Sequence, residues 1–165
     1  MNKTLVMFVG LPGCGKSSYR HNVLKNLVAV VLSSDDYIEE MSFNEGKTYS
    51  EGFKTYIKEA TDNLNEELKW AIENNKNILW DQTNLTRNVR LSKLRNIPKN
   101  YYKKCIVFEP FKSLTDWKSV LANRPDKKIP NDVLLVMKNA FQMPSLDEGW
   151  DEIVNVPNWF YKDKV

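Results

Sequence analysis

Eight residues near the beginning of the chain have the types and spacing of a phosphate-binding loop. Residues 10–17 read Gly-Leu-Pro-Gly-Cys-Gly-Lys-Ser and match GxxxxGK followed by Ser or Thr, directly after an apolar run and directly before a helical pattern. Glycines let successive backbone N–H groups point inward at phosphate oxygens, and the helix that follows adds the positive end of its dipole. We therefore expect this loop to bind the phosphates of ATP.

The residues of this loop have separate predicted tasks. The Lys16 ammonium is expected to neutralise the β- and γ-phosphates, the Ser17 hydroxyl to ligate Mg²⁺, and Ser18 to add a hydroxyl to the inner phosphates. Cys14 occupies a variable position of the motif and is expected to act as a small residue rather than a nucleophile. A glycine-rich turn without a ligand is the alternative interpretation. The rest of the predicted ATP-binding set lies in the loop itself: Gly10, Gly13, Cys14 and Gly15.

Two carboxylates follow apolar runs at positions where parallel strands are expected to end. Ligands of open α/β sheets gather beyond the carboxyl ends of the strands. Asp35 is therefore a candidate to accept the proton of an attacking hydroxyl, while its neighbour Asp36 is predicted to cap the next helix. Asp81 directly follows Ile-Leu-Trp, a pattern typical of the carboxylate that orients Mg²⁺ through water, with a simple turn aspartate as the alternative.

Arg124 lies in a short polar and basic segment, residues 123–128, between two predicted helices. A mobile segment that carries an arginine could close over the phosphates and neutralise the charge that develops on a transferred phosphoryl group. A solvated loop between helices explains the spacing equally well.

The elements that must position these side chains follow an alternating pattern. Apolar runs rich in β-branched residues alternate with helical patterns, which is typical of repeated βα units and a mostly parallel sheet. Strands are predicted at residues 4–9, 28–32, 77–80 and 103–108. Helices are predicted at residues 16–26, 36–41, 50–75, 86–96, 113–123 and 131–141, the third being long and amphipathic. We expect one α/β domain over residues 1–165.

Composition excludes several other classes of protein. With 42% hydrophobic and 27% charged residues, the chain is expected to bury a core rather than to be disordered, collagen-like or a coiled coil. Two cysteines and one histidine cannot form a disulfide framework or a Cys/His zinc site. The apolar runs are far shorter than the roughly 20 residues that span a bilayer. We therefore expect no zinc, no membrane segment and a cytoplasmic location.

The formal charge of +3 hides an uneven distribution. Residues 82–108 contain no Asp or Glu and seven Lys or Arg, so this segment alone carries +7 and the remaining chain carries −4. Within it Arg87, Arg90 and Lys93 recur at steps of three and are expected to share one side of a helix close to Asp81. This stripe is predicted to bind acceptor phosphates. The solvated face of an amphipathic helix is an equal alternative.

Together the motifs resemble the 5′-kinase domain of the polynucleotide kinases, a family of P-loop kinases. The resemblance rests on pieces in the same order: residues 10–17, Asp35-Asp36-Tyr37, Asp81-Gln82-Thr83-Asn84-Leu85 with Arg90 beyond it, Arg124 six residues before Pro130, and residues 141–144 running into 148–150. This chain departs from the family at two positions, because phage relatives have an arginine where Ile38 stands and a second lid arginine where Val120 stands.

The resemblance implies a kinase domain with an adenylate-kinase-like parallel sheet of about five strands, flanking helices and a short lid. The phosphatase or ligase domains often fused to such kinases are missing, so we expect a stand-alone kinase domain. It also implies that Asp35 is the general base for an acceptor 5′-hydroxyl and that Arg124 is the lid arginine on the ATP phosphates. ATP-dependent phosphorylation of a DNA or RNA 5′-hydroxyl, with Mg²⁺ as cofactor and a role in nucleic acid repair, is the leading hypothesis. A kinase for a small hydroxyl compound, such as a nucleoside or sugar acid, is the alternative. A third interpretation is a non-catalytic ATP-binding switch.

Overall fold

The computed structural model describes residues 3–162, and a five-stranded parallel sheet lies at its centre. The spatial order is β2-β3-β1-β4-β5, and all neighbouring strands run parallel. The central strand β1 reads as an almost continuous apolar run, which is typical of a parallel strand covered by helices on both faces. The predicted fold class is therefore confirmed. The strands are β1 (Lys3–Val9), β2 (Val30–Leu32), β3 (Ile78–Trp80), β4 (Tyr101–Phe108) and β5 (Glu152–Val156).

Six α-helices connect and cover the strands within residues 3–162. The longest, α3, begins at a capping box in which Thr48 and Glu51 satisfy each other's backbone N–H groups. None of the helices in this range is long and apolar enough to cross a bilayer. The helices are α1 (Lys16–Asn22), α2 (Ser34–Asn44), α3 (Tyr49–Glu73), α4 (Arg87–Leu94), α5 (Leu114–Ala122) and α6 (Asn131–Ala140), and two short 3₁₀ turns lie at Leu146–Glu148 and Trp159–Tyr161.

The core consists of two main apolar clusters, one on each face of the sheet. Successive side chains of a strand point to opposite faces, so Met7 belongs to one cluster and Phe8 to the other. Leu64 of α3 packs in the first cluster, whereas Trp117 of α5 and Leu134 of α6 pack in the second. This packing fixes the strands so that the segments following β1, β2 and β3 all leave the same edge of the sheet.

Several element boundaries differ from those predicted. Helix α1 ends at Asn22 rather than at residue 26, β2 is only three residues long, and β4 begins at Tyr101 rather than at residue 103. Helix α2 begins at Ser34 because the Ser33 hydroxyl accepts a hydrogen bond from the Asp36 backbone N–H at 3.1 Å. The prediction that Asp36 caps this helix is therefore wrong.

Candidate active site

The phosphate-binding loop lies between β1 and α1, in the strand–loop–helix arrangement that its motif predicts. Gly13 and Gly15 adopt left-handed backbone conformations, with φ of 81° and 105°. Gly10 is held at a close approach, because a Cβ there would lie 2.7 Å from the Cys14 sulfur. Its backbone N–H donates to the Thr83 carbonyl at 3.0 Å and so joins this loop to the segment after β3.

Lys16 folds back over its own loop. Its Nζ donates to the backbone carbonyls of Gly10 and Leu11, both at 3.0 Å. Cys14 is fully buried beside it, and burial raises the pKa of the Cys14 thiol more than the Lys16 charge lowers it. A buried, protonated thiol supports the expectation that Cys14 acts as a small residue. Ser17 is exposed at the start of α1.

Arg20 connects α1 to two carboxylates and was not singled out from the sequence. Its guanidinium donates to Asp36 at 2.8 Å and to Asp81 at 2.9 Å. The available sequence signal was its position four residues after Lys16, one helical turn along the same face. Arg20 thereby fixes the Asp81 carboxylate at the end of β3 and draws Asp36 towards it.

Asp81, the carboxylate predicted to orient Mg²⁺, lies directly after β3. It is only 9% exposed, and burial raises its pKa although Lys16 and Arg20 favour the charged form. Its carboxylate and the Ser17 hydroxyl are hard oxygen donors, and Mg²⁺ in kinases is bound by one or two protein oxygens together with substrate phosphates and water. Oxygen donors of these two types fit Mg²⁺. Residues 3–162 contain no cluster of three or more His, Cys, Asp or Glu that could hold a metal ion by itself.

Asp35, the predicted general base, lies at the first turn of α2 with both carboxylate oxygens in contact with donors. The Tyr49 hydroxyl donates to Oδ1 at 2.6 Å, and the Lys127 ammonium forms an ion pair with Oδ2. Burial raises the pKa of the Asp35 carboxyl, but Lys127 and Tyr49 outweigh it, so this pKa lies below its ordinary value. A carboxylate has about four lone-pair positions, so an acceptor hydroxyl has room to bind beside these two donors.

Residues 123–130, which join α5 to α6 and which we call the lid segment, dock on the beginning of α3. The Ser50 backbone N–H donates to the Asp126 carbonyl at 3.2 Å, and the Ser50 hydroxyl accepts from the Lys128 backbone N–H at 2.9 Å. The Lys127 ammonium lies 4.0 Å from the centre of the Tyr49 ring and is only 12% exposed. The lid segment therefore brings the Lys127 ammonium onto the Asp35 carboxylate, and the Asp35 side chain stays 51% exposed.

Arg124 also lies in the lid segment and is exposed. Its charge favours ionisation of Tyr49, which places it near the Asp35–Tyr49 pair. The structure thus brings Arg124 to the predicted site, and its contact with ATP phosphates stays a prediction. Lys127, three residues along the same basic run, was not predicted.

Lys127→Ala is expected to shift the acidic limb of the pH–rate profile to higher pH. Without the ammonium, Asp35 loses the main interaction that favours its ionised form, so the pKa of its carboxyl rises. The stabilisation from this pair is fully present above the ordinary carboxyl pKa and is lost as pH falls through the lowered pKa of Asp35. Activity against pH measures the first effect, and urea unfolding at neutral and acidic pH measures the second. An unmoved acidic limb would contradict the assignment of this limb to Asp35.

The prediction that Arg90 binds acceptor phosphates is wrong. This residue is 0% exposed, and its guanidinium forms two hydrogen bonds of 2.7 Å with the Glu148 carboxylate. Its remaining NH1 group donates to three backbone carbonyls, those of Asn84, Leu85 and Gln142, at 3.0–3.1 Å. Arg90 is therefore unable to bind an acceptor phosphate and instead holds the segment after β3 in place.

The other two residues of the stripe have different surroundings. Arg87 forms a two-pronged ion pair with Asp147 at 3.1 and 2.8 Å, which lowers the pKa of Asp147 to about 2. Lys93 points inward, where its ammonium donates to Gln82 and Asn84. Of the three side chains, only Lys93 remains without a carboxylate among its hydrogen-bond partners in residues 3–162.

The rest of the basic segment runs away from the site. Helix α4 begins near the carboxyl edge of the sheet, whereas the parallel strand β4 begins at the amino edge, so Arg95 and Lys99 lie along the path between the two edges. Lys104 on β4 pairs with Glu152 on β5 at 3.1 Å. The seven basic residues therefore do not form one surface beside the candidate active site.

The segment after β5 packs on the phosphate-binding loop. The Trp159 backbone N–H donates to the Cys14 carbonyl at 3.2 Å, and a Cβ added at Gly15 would lie 2.4 Å from the Trp159 Cβ. Trp159 therefore packs against the phosphate-binding loop.

Solved structures with similar folds include several kinases. A putative kinase from Chloroflexus aurantiacus has a TM-score of 0.73 and 15% identity, covering 98% of this chain and 88% of its own. A gluconokinase from Sinorhizobium meliloti has a TM-score of 0.54 and 14% identity, covering 96% and 83%. A chain of a Pnkp1/Rnl/Hen1 complex has a TM-score of 0.54 and 18% identity, covering 78% of this chain and 41% of its own. These similarities show a P-loop kinase-like fold, and proteins of this fold generally bind ATP with Mg²⁺.

A protein-family model described as an AAA domain matches residues 5–144, which run from β1 through the phosphate-binding loop, Asp35, Asp81 and the lid segment to the residues just after α6. The match spans most of the 165 residues, and the chain belongs to this AAA domain family.

Proposed function

We propose that this protein transfers the γ-phosphate of ATP to a hydroxyl group of an acceptor. The observation that carries the proposal is that the phosphate-binding loop and the Asp35 carboxylate lie at the same edge of the sheet. There, Lys127 and Tyr49 favour the ionised form of Asp35. An ionised carboxylate at this place accepts the proton of the attacking hydroxyl as the new bond to phosphorus forms.

The other site residues have electrostatic tasks in this proposal. Lys16 leaves its own loop carbonyls to bind the β- and γ-phosphates, and Arg124 neutralises charge from the side of the lid segment. Ser17 and Asp81 hold Mg²⁺, which supplies charge neutralisation on the phosphate oxygens when bound. Arg20 holds Asp81 in position through its 2.9 Å hydrogen bond.

The first candidate acceptor is the 5′-hydroxyl end of a DNA or RNA strand. The support is the order and identity of the motifs around Asp35, Asp81 and Arg124, which resemble the polynucleotide kinases, and a Pnkp1 complex has a chain with a similar fold. A small hydroxyl compound is the second candidate. It is favoured by the burial of Arg90 and the pairing of Arg87 with Asp147, which remove two of the three cations predicted to follow a nucleic-acid backbone.

Transfer from ATP labelled at the γ-phosphate distinguishes these acceptors. Single-stranded DNA and RNA with 5′-hydroxyls, duplex ends, nucleosides and sugar acids are offered separately with Mg²⁺. We expect label on 5′-hydroxyl strands and a shallow salt dependence. Each phosphate contact to a single strand contributes a slope of about −0.7 in log affinity against log salt concentration. Because Lys93 is the one cation of the predicted stripe that has no carboxylate partner in residues 3–162, we expect about one such contact.

Each result in this panel has a definite meaning. Label on a sugar acid and none on a 5′-hydroxyl strand would replace the first candidate with the second. A steep salt slope that reports several phosphate contacts would contradict the conclusion that the basic stripe is taken up by internal pairs. Tight ATP binding without transfer to any acceptor would favour a non-catalytic switch.

A further inference from the structure

A cavity of about 270 Å³ opens beside the candidate active site, between the segment after β3 and helix α6. Both polar and apolar side chains line it. The segment after β3 and the start of α4 contribute Gln82, Asn84 and Thr86 together with Leu85 and Val89, and α6 contributes Val136 and Met137. Its size is close to the lower end of the range for small-molecule pockets, about 300–1,000 Å³. A cavity of this volume, lined by both polar and apolar side chains, fits a compact ligand better than a long polymer.

Lys93 lies in the wall of this cavity with an unusual set of partners. Its ammonium donates only to the side-chain oxygens of Gln82 and Asn84 and lies 4.9 Å from the centre of the Trp80 ring. Burial lowers the pKa of Lys93 to about 8, and no carboxylate in residues 3–162 contributes to this shift. A half-buried cation held by neutral oxygens is stabilised when an anion binds next to it.

Hydrogen bonds connect this cavity to both halves of the proposed site. Gln82 accepts from Lys93 and donates to the Ser34 hydroxyl at 2.8 Å, and Ser34 directly precedes Asp35. On the other side, the Thr83 carbonyl accepts from Gly10 of the phosphate-binding loop at 3.0 Å. A ligand in the cavity therefore lies next to the residues that position the proposed base and the ATP phosphates.

We propose that this cavity binds the acceptor and that Lys93 binds an anionic group which the acceptor carries besides its reacting hydroxyl. The anion is either the phosphate of a terminal nucleotide or the carboxylate of a small hydroxy acid. The inference rests on the proposed transfer reaction and adds to it the chemical class of the acceptor. In this arrangement the protein recognises one anion and the group attached to it, and not a length of nucleic-acid backbone.

The test compares acceptors in pairs, in which one member carries the anionic group and the other carries a neutral hydroxyl or hydroxymethyl group at the same position. Thymidine 3′-monophosphate is paired with thymidine, and glycerate with glycerol. In one of the two pairs, we expect the anionic member to have a KM about 10- to 100-fold lower than that of the neutral member. This is the usual contribution of a hydrogen bond to a charged group. Lys93→Gln is expected to remove most of this advantage, so that the KM of the anionic member rises towards that of the neutral member. The pair that shows this difference in KM tells whether the anion is a nucleotide phosphate or the carboxylate of a hydroxy acid.

Matched variants separate the cavity from the general charge of the protein. Lys99→Gln removes a positive charge from an exposed position outside the cavity and is expected to leave the advantage intact. Val136→Asp places a negative charge at the wall of the cavity and should raise KM for anionic acceptors, whereas Leu135→Asp, also exposed on α6 but outside the cavity, should not. Both α6 side chains are largely exposed, so these variants are expected to fold.

Calorimetric titration of the acceptors in the absence of ATP distinguishes a failure of this inference from a failure of the proposed transfer reaction. Binding of an anionic member that Lys93→Gln abolishes, without any transfer, would support this inference and contradict the proposed reaction. Transfer in which the anion gives no advantage, or in which Lys93→Gln affects both members of a pair equally, would overturn this inference and leave the reaction standing.

Discussion

Asp35→Asn is expected to lower the rate of phosphoryl transfer by about 10²- to 10⁴-fold, the usual contribution of a general base. Asparagine has nearly the same shape and keeps an oxygen for the Tyr49 hydroxyl, but it cannot accept the proton of the attacking hydroxyl. ATP affinity should stay near that of the wild type, because the phosphate-binding loop is unchanged. Single-turnover transfer and equilibrium ATP binding measure the two quantities.

Two variants are controls for this result. Lys16→Ala is expected to lose ATP binding and transfer together, since it removes the cation proposed to bind the β- and γ-phosphates. Asp132→Asn makes the same chemical change at an exposed position in the first turn of α6 and should change neither quantity. Near-normal transfer by Asp35→Asn would show that Asp35 is not the base.

Arg90→Ala is expected to cost about 3–5 kcal/mol of the free energy of unfolding. The change leaves the Glu148 carboxylate, whose side chain is 1% exposed, without its close ion-pair partner, and only the more distant Arg87 guanidinium remains, at 3.8 Å. It also removes the donor from three backbone carbonyls around the segment after β3. For a chain of this size the loss corresponds to a fall of roughly 6–20 °C in Tm. Urea unfolding and calorimetry measure the two values.

A variant of a neighbouring arginine and a double variant test whether the loss of stability comes from the buried Arg90–Glu148 ion pair. Arg95→Ala removes an exposed arginine just after α4 and is expected to change stability by less than about 0.5 kcal/mol. Arg90→Met combined with Glu148→Met removes the pair together and should recover part of the loss, because no buried charge remains unpaired. Equal melting of Arg90→Ala and Arg95→Ala would contradict the buried ion pair.

The parts of the site that the sequence predicts are local. Residues 10–17 carry their geometry in consecutive residues, and Asp35 and Asp81 follow short apolar strands, so their common edge follows from the parallel sheet alone. The first four strands were predicted from their apolar runs for the same reason. Strand β5 was not located, because its apolar run is only two residues long, Ile153 and Val154, before the polar Asn155 interrupts it.

The contacts that the sequence did not predict join residues far apart in the chain. Lys127 is 92 residues from Asp35, and Arg20 is 61 residues from Asp81. A step of three correctly puts Arg87, Arg90 and Lys93 on one side of a helix, but the pattern does not say what that side faces. Arg90 faces the interior because it pairs with Glu148, which lies 58 residues away in a short turn. Burial of a charged side chain becomes predictable only when its partner can be placed.

The ratio of phosphorylated acceptor to ADP tests the central claim most directly. Wild-type protein, ATP labelled at the γ-phosphate, Mg²⁺ and a 5′-hydroxyl oligonucleotide or a small hydroxyl acceptor are incubated, and both products are counted. The proposed reaction predicts one phosphorylated hydroxyl for each ADP, with both products absent in Lys16→Ala. ADP released without phosphorylated acceptor across the whole set of acceptors, or no ADP at all, would contradict it.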